Sequence, residues 1–218
     1  AGIIGQEQNQ AVAANLINNM LVSHNKKTSV ASLRSLIELG RDKMKSYIHE
    51  IRKNGTEILI LKIDVNVING EISGLLQQDL RFNIILYIDV SPAYKKQIES
   101  LLSLLEENGI IIVNEDYIDN LDSLLFLKEL GLDTVTFGFN SRASITTSSI
   151  DDTSSGKKYM LYQQKTVKSI NGHTISPQEY RIDTGKEVDA YGALGAVAFA
   201  IASGVELNAH PGVNSHKN

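Results

Sequence analysis

The stretch AGIIGQEQNQAVAANLI, residues 1–17, begins as a strand, turns at Gly5 and continues with apolar residues at helical spacing. A turn of that outline is where many proteins hold phosphate. Glycines let backbone N–H groups close round the anion, a lysine neutralises the terminal phosphates, and a Ser or Thr hydroxyl holds magnesium. From Gly5 to Gln10 this chain has one glycine, no lysine and no hydroxyl residue, and it carries Glu7. A carboxylate about 5 Å from a phosphate repels it by roughly 3 kcal/mol per unit charge at an effective dielectric of 20. The positive end of a helix returns only about 0.3–1 kcal/mol at an exposed site. Triphosphate binding in the usual pose is therefore expected to be poor, with Gly5 a simple turn glycine.

Other residues could do chemistry. Asp64 and Asp89 close two apolar strands, "EILILKIDV" and "FNIILYIDV". If those strands are neighbours, the two acids meet at the carboxyl edge of a sheet, where open α/β folds bind ligands, either as a paired-carboxylate or metal site or as solvated strand ends. Asn114 and Asp116 in "IIIVNED" suit either a ligand site or a turn and helix cap. His24, His49 and His173 are scattered among polar residues and read as surface positions. His210 and His216 stand six apart, which matches no helical metal pair. No Ser-His-Asp arrangement on a strand-to-helix elbow can be read.

The elements that must position these residues follow from hydrophobic period. A strand at Gly2–Ile4 leads to a helix carrying Val12, Leu16, Ile17, Met20 and Leu21. A second helix is expected within Arg41–Lys53, ending at Asn54-Gly55. Ser91-Pro92 starts a helix whose Ile98, Leu101, Leu102 and Leu105 stop at Asn108-Gly109, with "IIIV" directly after. A helix over about 121–130, closed by Gly131, precedes the strand "TVTF", which ends at Gly138. Continuous apolar strands separated by helices mark a parallel sheet covered on both faces.

From about Ser141 the pattern alternates in "ASITTSSI", "KKYMLYQQ" and "TVKSI", while "SINGHTI" carries an Asn-Gly hairpin signature and "DDTSSGKK" reads as an exposed turn. The expected class is α/β, with a mostly parallel sheet flanked by helices and a small antiparallel sub-sheet near residues 141–182. One domain over 1–218 is expected: a parallel core at 1–140, the antiparallel sheet at 141–182, a returning C-terminal helix within 183–208 and a tail at 209–218.

Bulk properties narrow the function. The 218 residues carry a net charge of -4, so no broad basic surface is available for nucleic acid. No apolar run approaches the roughly 20 residues of a membrane span, and no signal peptide opens the chain, so a cytoplasmic location is expected. With 0 cysteines there is no disulfide, thiolate metal site or cysteine nucleophile. The first residue is Ala1 rather than Met, which suggests a piece of a longer chain.

Four phrases in order resemble the central domain of the Mur ligase family, the ATP-dependent enzymes that join an amino acid or peptide to a carboxylate in cell-wall synthesis, with folylpolyglutamate synthase a relative. "AGIIGQEQNQAVAANLI" is similar to the family's GxTGTNGKTTTxxLI, and "GIIIVNEDYID" to its strand ending in Asn-x-Asp-Asp. "TVTFGFNSRASITTSSI" is similar to its Thr-x-Gly turn and the strand that follows, and "AYGALGAVAFAIASGV" to its Ala-rich last helix. The resemblance implies a P-loop-like fold in which Gly5, Gln8, Asn9, Gln10, Asn114 and Asp116 are the vestiges of a nucleotide site. Aligned on Gly5, Gln8 stands for the second loop glycine, Asn9 for the lysine and Gln10 for the hydroxyl residue. Lys62 falls at the magnesium-binding glutamate, and the family's Asp-His loop towards a modified lysine is missing after "FNIILYIDV", with neither Lys95 nor Lys96 assignable to that lysine. The family's His-Asn falls on Val188-Asp189, and its later Asn on Gly192.

These losses lead to the expectation of a degenerate Mur-ligase-like domain without ATPase or ligase activity, with no catalytic or metal residues and no cofactor, acting as a binding or structural module of a longer protein. The alternative is a true ATP-dependent carboxylate–amine ligase using ATP and magnesium. The expected partner is a protein or small molecule rather than nucleic acid or a membrane, and the sheet edge or antiparallel lobe offers a surface for homo-oligomers.

Overall fold

Strands made of unbroken apolar residues need cover on both faces, and the sheet of this protein has it. The structure, a computed structural model, describes residues 1–89, 94–117 and 132–207. Its first half alternates strands and helices: β1 (Gly2–Ile4), α1 (Glu7–Ser23), β2 (Thr28–Ser32), α2 (Leu33–Glu38), α3 (Arg41–Lys53), β3 (Ile58–Ile63), α4 (Gly70–Asp79), β4 (Phe82–Tyr87) and α5 (Lys95–Leu102). It continues with β5 (Leu105–Asn114), β6 (Asp133–Phe137), β7 (Ile145–Asp152), β8 (Lys157–Gln163), β9 (Val167–Lys168), β10 (Thr174–Ile175), β11 (Glu179–Thr184) and α6 (Ala190–Ala202). Among the described residues the main sheet runs β11-β8-β7-β6-β5-β4-β1-β3-β2, and β9-β10 form a separate pair.

The strands from β2 to β7 are parallel to their neighbours, while β8 is antiparallel to both β7 and β11. The antiparallel strands are thus hydrogen-bonded onto the parallel sheet, and only the short hairpin stands apart. Period-two alternation splits the core. Ile3, Ile60, Ile84, Leu86, Ile110 and Ile112 join α1 and α6 on one face. Ile4, Leu61, Ile85, Ile111 and Val113 join α2, α3 and the helices after them on the other. In α6 every residue from Gly192 to Ala202 is buried, and a Cβ on Gly195 would lie 3.3 Å from the Phe137 ring, so its small residues permit close approach to the sheet.

Several sequence expectations need correction. The helix expected to stop at Asn108-Gly109 ends at Leu102, and Asn108 and Gly109 lie within β5. Leu104 is fully buried at the sheet, and the β4–β5 register shifts between Phe82 and Ile84, so the polar residues after Leu105 bulge outward. The tight hairpin expected at the Asn-Gly signature is present, with a loop longer than two residues. Lys168 pairs with Thr174, and the intervening turn closes with Gly172 N donating to Ser169 O at 2.9 Å, Gly172 having φ +81°. Elements β2, α2 and α4 had no clear period. The Ser91-Pro92 helix start, the helix over 121–130 with Gly131, and the tail with His210 and His216 lie outside the described residues.

Candidate functional site

The order β3-β1-β4 places the reversal of chain direction at β1: the chain proceeds outward from β1 on one side and crosses back to place β4 on the other. Such a switch point leaves a crevice at the carboxyl ends of the strands. Here it opens into a cavity of about 840 Å³ lined by Gly5, Glu7, Gln10, Arg34, Lys62 and Asp89, among others.

The connection from β1 to α1 is only Gly5 and Gln6. Asp89, just beyond β4, closes on this turn: Gln6 N donates to Asp89 Oδ1 at 2.9 Å and Asn9 Nδ2 to Asp89 Oδ2 at 2.6 Å. A Cβ on Gly5 would lie 2.5 Å from Asp89 Oδ1, so a larger residue there would displace the carboxylate. Gln10 is 4% exposed, and its Nε2 donates to both Gly5 O and Ile63 O, at 2.6 Å to the latter, tying the end of β1 to the end of β3. Asn9 and Gln10 therefore hold protein groups at the positions where the resemblance puts a lysine and a hydroxyl. Gln8 is exposed and takes no part in this closure.

Asp64 and Asp89 do not close neighbouring strands, because β1 lies between β3 and β4. Asp64 is bound to Arg34 and accepts from Asn66 N and Nδ2, each at 2.9 Å. Its partial burial works to raise the pKa, but the hydrogen bonds from Arg34 and Asn66, with the Arg34 charge, hold it below the usual carboxylate range. Tyr94 OH donates to Asn66 Oδ1 at 3.0 Å and ties the start of α5 into this group. Lys62 is half-buried on the cavity wall. Among the described residues, no group of three or more His, Asp or Glu side chains is arranged to hold a metal.

Asn114 and Asp116 do come together. Asn114 is fully buried, its Oδ1 accepts from Asp116 N at 3.1 Å, and its Nδ2 has no partner. Asp116 accepts from Phe139 N at 2.5 Å and Asn140 N at 2.9 Å and so caps the turn after β6. Beside it, the Tyr191 ring lies 5.3 Å from both Tyr117 and Phe139. Burial, then the Asp116 carboxylate, raises the Tyr191 hydroxyl pKa. Asp189, where the resemblance places the Asn of a His-Asn pair, instead caps α6 by accepting from Gly192 N at 2.6 Å. His49 and His173 are exposed, and the half-buried His24 approaches Met20 O at 2.8 Å through Nδ1.

Arg34, Asn66 and Tyr94 escaped the sequence reading. Their one signal was the local sequence Asp-x-Asn at residues 64–66, which favours an Asx turn. The contacts to Arg34 and Tyr94 span 30 and 28 residues and leave no local trace.

Comparison with known proteins identifies the fold. No protein-family profile matches the sequence, and no curated protein is similar to it. Among solved structures, the chain is similar to a UDP-N-acetylmuramoylalanyl-D-glutamyl-2,6-diaminopimelate–D-alanyl-D-alanyl ligase from Acinetobacter baumannii, with TM-score 0.67 and 15% identity, over 94% of this chain and 43% of that one. A second structure, MurF from Acinetobacter baumannii, gives TM-score 0.65 and 16% identity over 94% and 43% of the two chains. A point mutant of L. casei FPGS gives TM-score 0.54 and 8% identity over 95% and 60%. The chain thus spans less than half the length of the ligases from Acinetobacter baumannii, and the likeness is one of fold: the mostly parallel sheet of a Mur ligase central domain.

Proposed function

We propose that this chain is a Mur-ligase-like domain that has lost ATPase and ligase chemistry and serves as a binding or structural module within a longer cytoplasmic protein. The observation that carries this reading is the Asp89 carboxylate, bonded to Gln6 N and Asn9 Nδ2 in the switch-point crevice. An enzyme of this kind keeps that place for phosphate, with a cation opposite it; here an anion belonging to the protein takes the N–H donor, and Glu7 adds a second negative charge on the cavity wall. Gln10 adds to the case, since its amide is committed to two main-chain carbonyls and has no hydroxyl to offer magnesium.

Isothermal titration with ATP and magnesium tests the proposal. No heat of binding is expected; an affinity in the micromolar range, about -8 kcal/mol, overturns it.

A second reading is favoured by one observation, the unpartnered Asn114 Nδ2 close to Asp116 and the aromatic side chains at the same end of the sheet. Under it the full-length protein is an ATP-dependent acid–amine ligase whose missing groups come from elsewhere in the protein. Phosphate release that depends on both an acidic substrate and an amino acid would select this reading.

A further inference from the structure

The main sheet ends at β11, and no strand lies beside its outer edge among the described residues. Gln163 N donates to Gln178 O at 2.9 Å, and β11 continues that ladder with Tyr180 opposite Leu161 and Ile182 opposite Tyr159. Antiparallel ladders alternate, so the N–H and C=O groups of Glu179, Arg181 and Asp183 turn towards the open edge. A row of unpaired backbone groups is a template for another strand, and proteins usually blunt it with repelling charges. The charges here are of mixed sign: Arg181 and Asp183 are both exposed, and their side chains approach within 4.0 Å of one another. Beside the edge lies a groove of about 660 Å³ between α1 and β11, with Val12, Leu16 and Met20 on the helix and Ile182 on the strand.

We propose that β11 pairs antiparallel with the β11 of a second copy of this chain, centred on Ile182, so that two nine-stranded sheets join into one. In this register Arg181 faces the second copy's Asp183, Asp183 faces the second copy's Arg181, and the two Ile182 side chains meet at the lip of the groove. Other symmetric registers are worse. Centring on Arg181 sets arginine against arginine and Glu179 against Asp183. Centring on Asp183 sets acid against acid. Centring on Tyr180 brings Pro177, which has no N–H, to a position that must donate. Charge complementarity therefore selects both the occupant and its alignment. This inference goes beyond the switch-point reading and does not depend on it.

Sedimentation equilibrium of the 218-residue chain tests it, and a concentration-dependent mass rising from 23.9 kDa towards twice that value is expected. Arg181→Asp and Asp183→Arg each replace two attractive cross-strand pairs by two repulsive ones, weakening the dimer roughly tenfold or more. An equimolar mixture of the two variants restores opposite charges at both positions, and so does the double swap in one chain. Recovery in the mixture supports the pairing and cannot come from variants that fail to fold. A monomer at every concentration, a dimer insensitive to either single swap, or a mixture that does not recover overturns it.

Discussion

Asp89 stands directly over Gly5: the carboxylate reaches across from the end of β4, and a Cβ on the turn below it would lie 2.5 Å from Oδ1. Gly5 and the side chain it faces are 84 residues apart in the chain. That pairing makes a two-residue loop and a strand-end acid into one structural unit.

Gly5→Ala should destabilise the protein by about 1–3 kcal/mol through overpacking, and Asp89→Ala by about 1 kcal/mol through the lost hydrogen bonds. Because both act on the same contact, Gly5→Ala should do less harm in the Asp89→Ala background. Urea unfolding of the four proteins in the cycle measures this, and strict additivity would contradict the contact.

Gln10→Ala removes the donor of two main-chain carbonyls, the part-buried Gly5 O and the buried Ile63 O. A loss of about 2 kcal/mol is expected, since unmade buried hydrogen bonds are expensive. Gln10→Glu should be no better, because a carboxylate has no proton to give either oxygen. Thermal unfolding near neutral pH distinguishes both variants from an indifferent surface position.

Asp116→Ala frees the amides of Phe139 and Asn140, which the carboxylate now binds. Faster hydrogen exchange at these two amides is expected, with a loss of about 1–2 kcal/mol. Unchanged exchange at Phe139 and Asn140 would show that the turn after β6 holds itself.

Asp79 links α4 to α3 through Arg41 and Lys45, and those hydrogen bonds and charges lower its pKa to about 2. An unfolded aspartate titrates near about 3.9. Its stabilisation is therefore complete above that value and is lost as pH falls from about 4 towards 2, since the unfolded chain takes up the proton first. Asp79→Asn should flatten this part of the acid-stability curve, measured by denaturant midpoint at successive pH values.

Much of this architecture could be read from local pattern. Runs such as "ILILKI" and "FNIILY" admit few alternatives to buried strands, and α3 has the bounds its period and the following Asn-Gly suggest. What stayed hidden was long-range. The polar "TSVAS" of β2 carries no strand signal, yet it pairs along β3, and inserting β1 between β3 and β4 is a property of chain crossing that no window contains. Asp89 was visible as a strand-end acid. Its job was not, because the donors that define it sit 83 and 80 residues earlier. Asn108-Gly109 misled for a related reason: a helix-stop signature also suits a bulge once Leu104 has been committed to the core.

The burial of α6 from Gly192 to Ala202 has a consequence for synthesis on the ribosome. Every strand of the main sheet is translated before it, yet α6 supplies the cover for β4 to β8 on one face and packs against α1 from the opposite end of the chain. Until Ala202 has left the exit tunnel, a broad apolar surface of this sheet stays bare, so the nascent sheet must remain loosely folded or be shielded by a chaperone until the final turn of α6 has emerged.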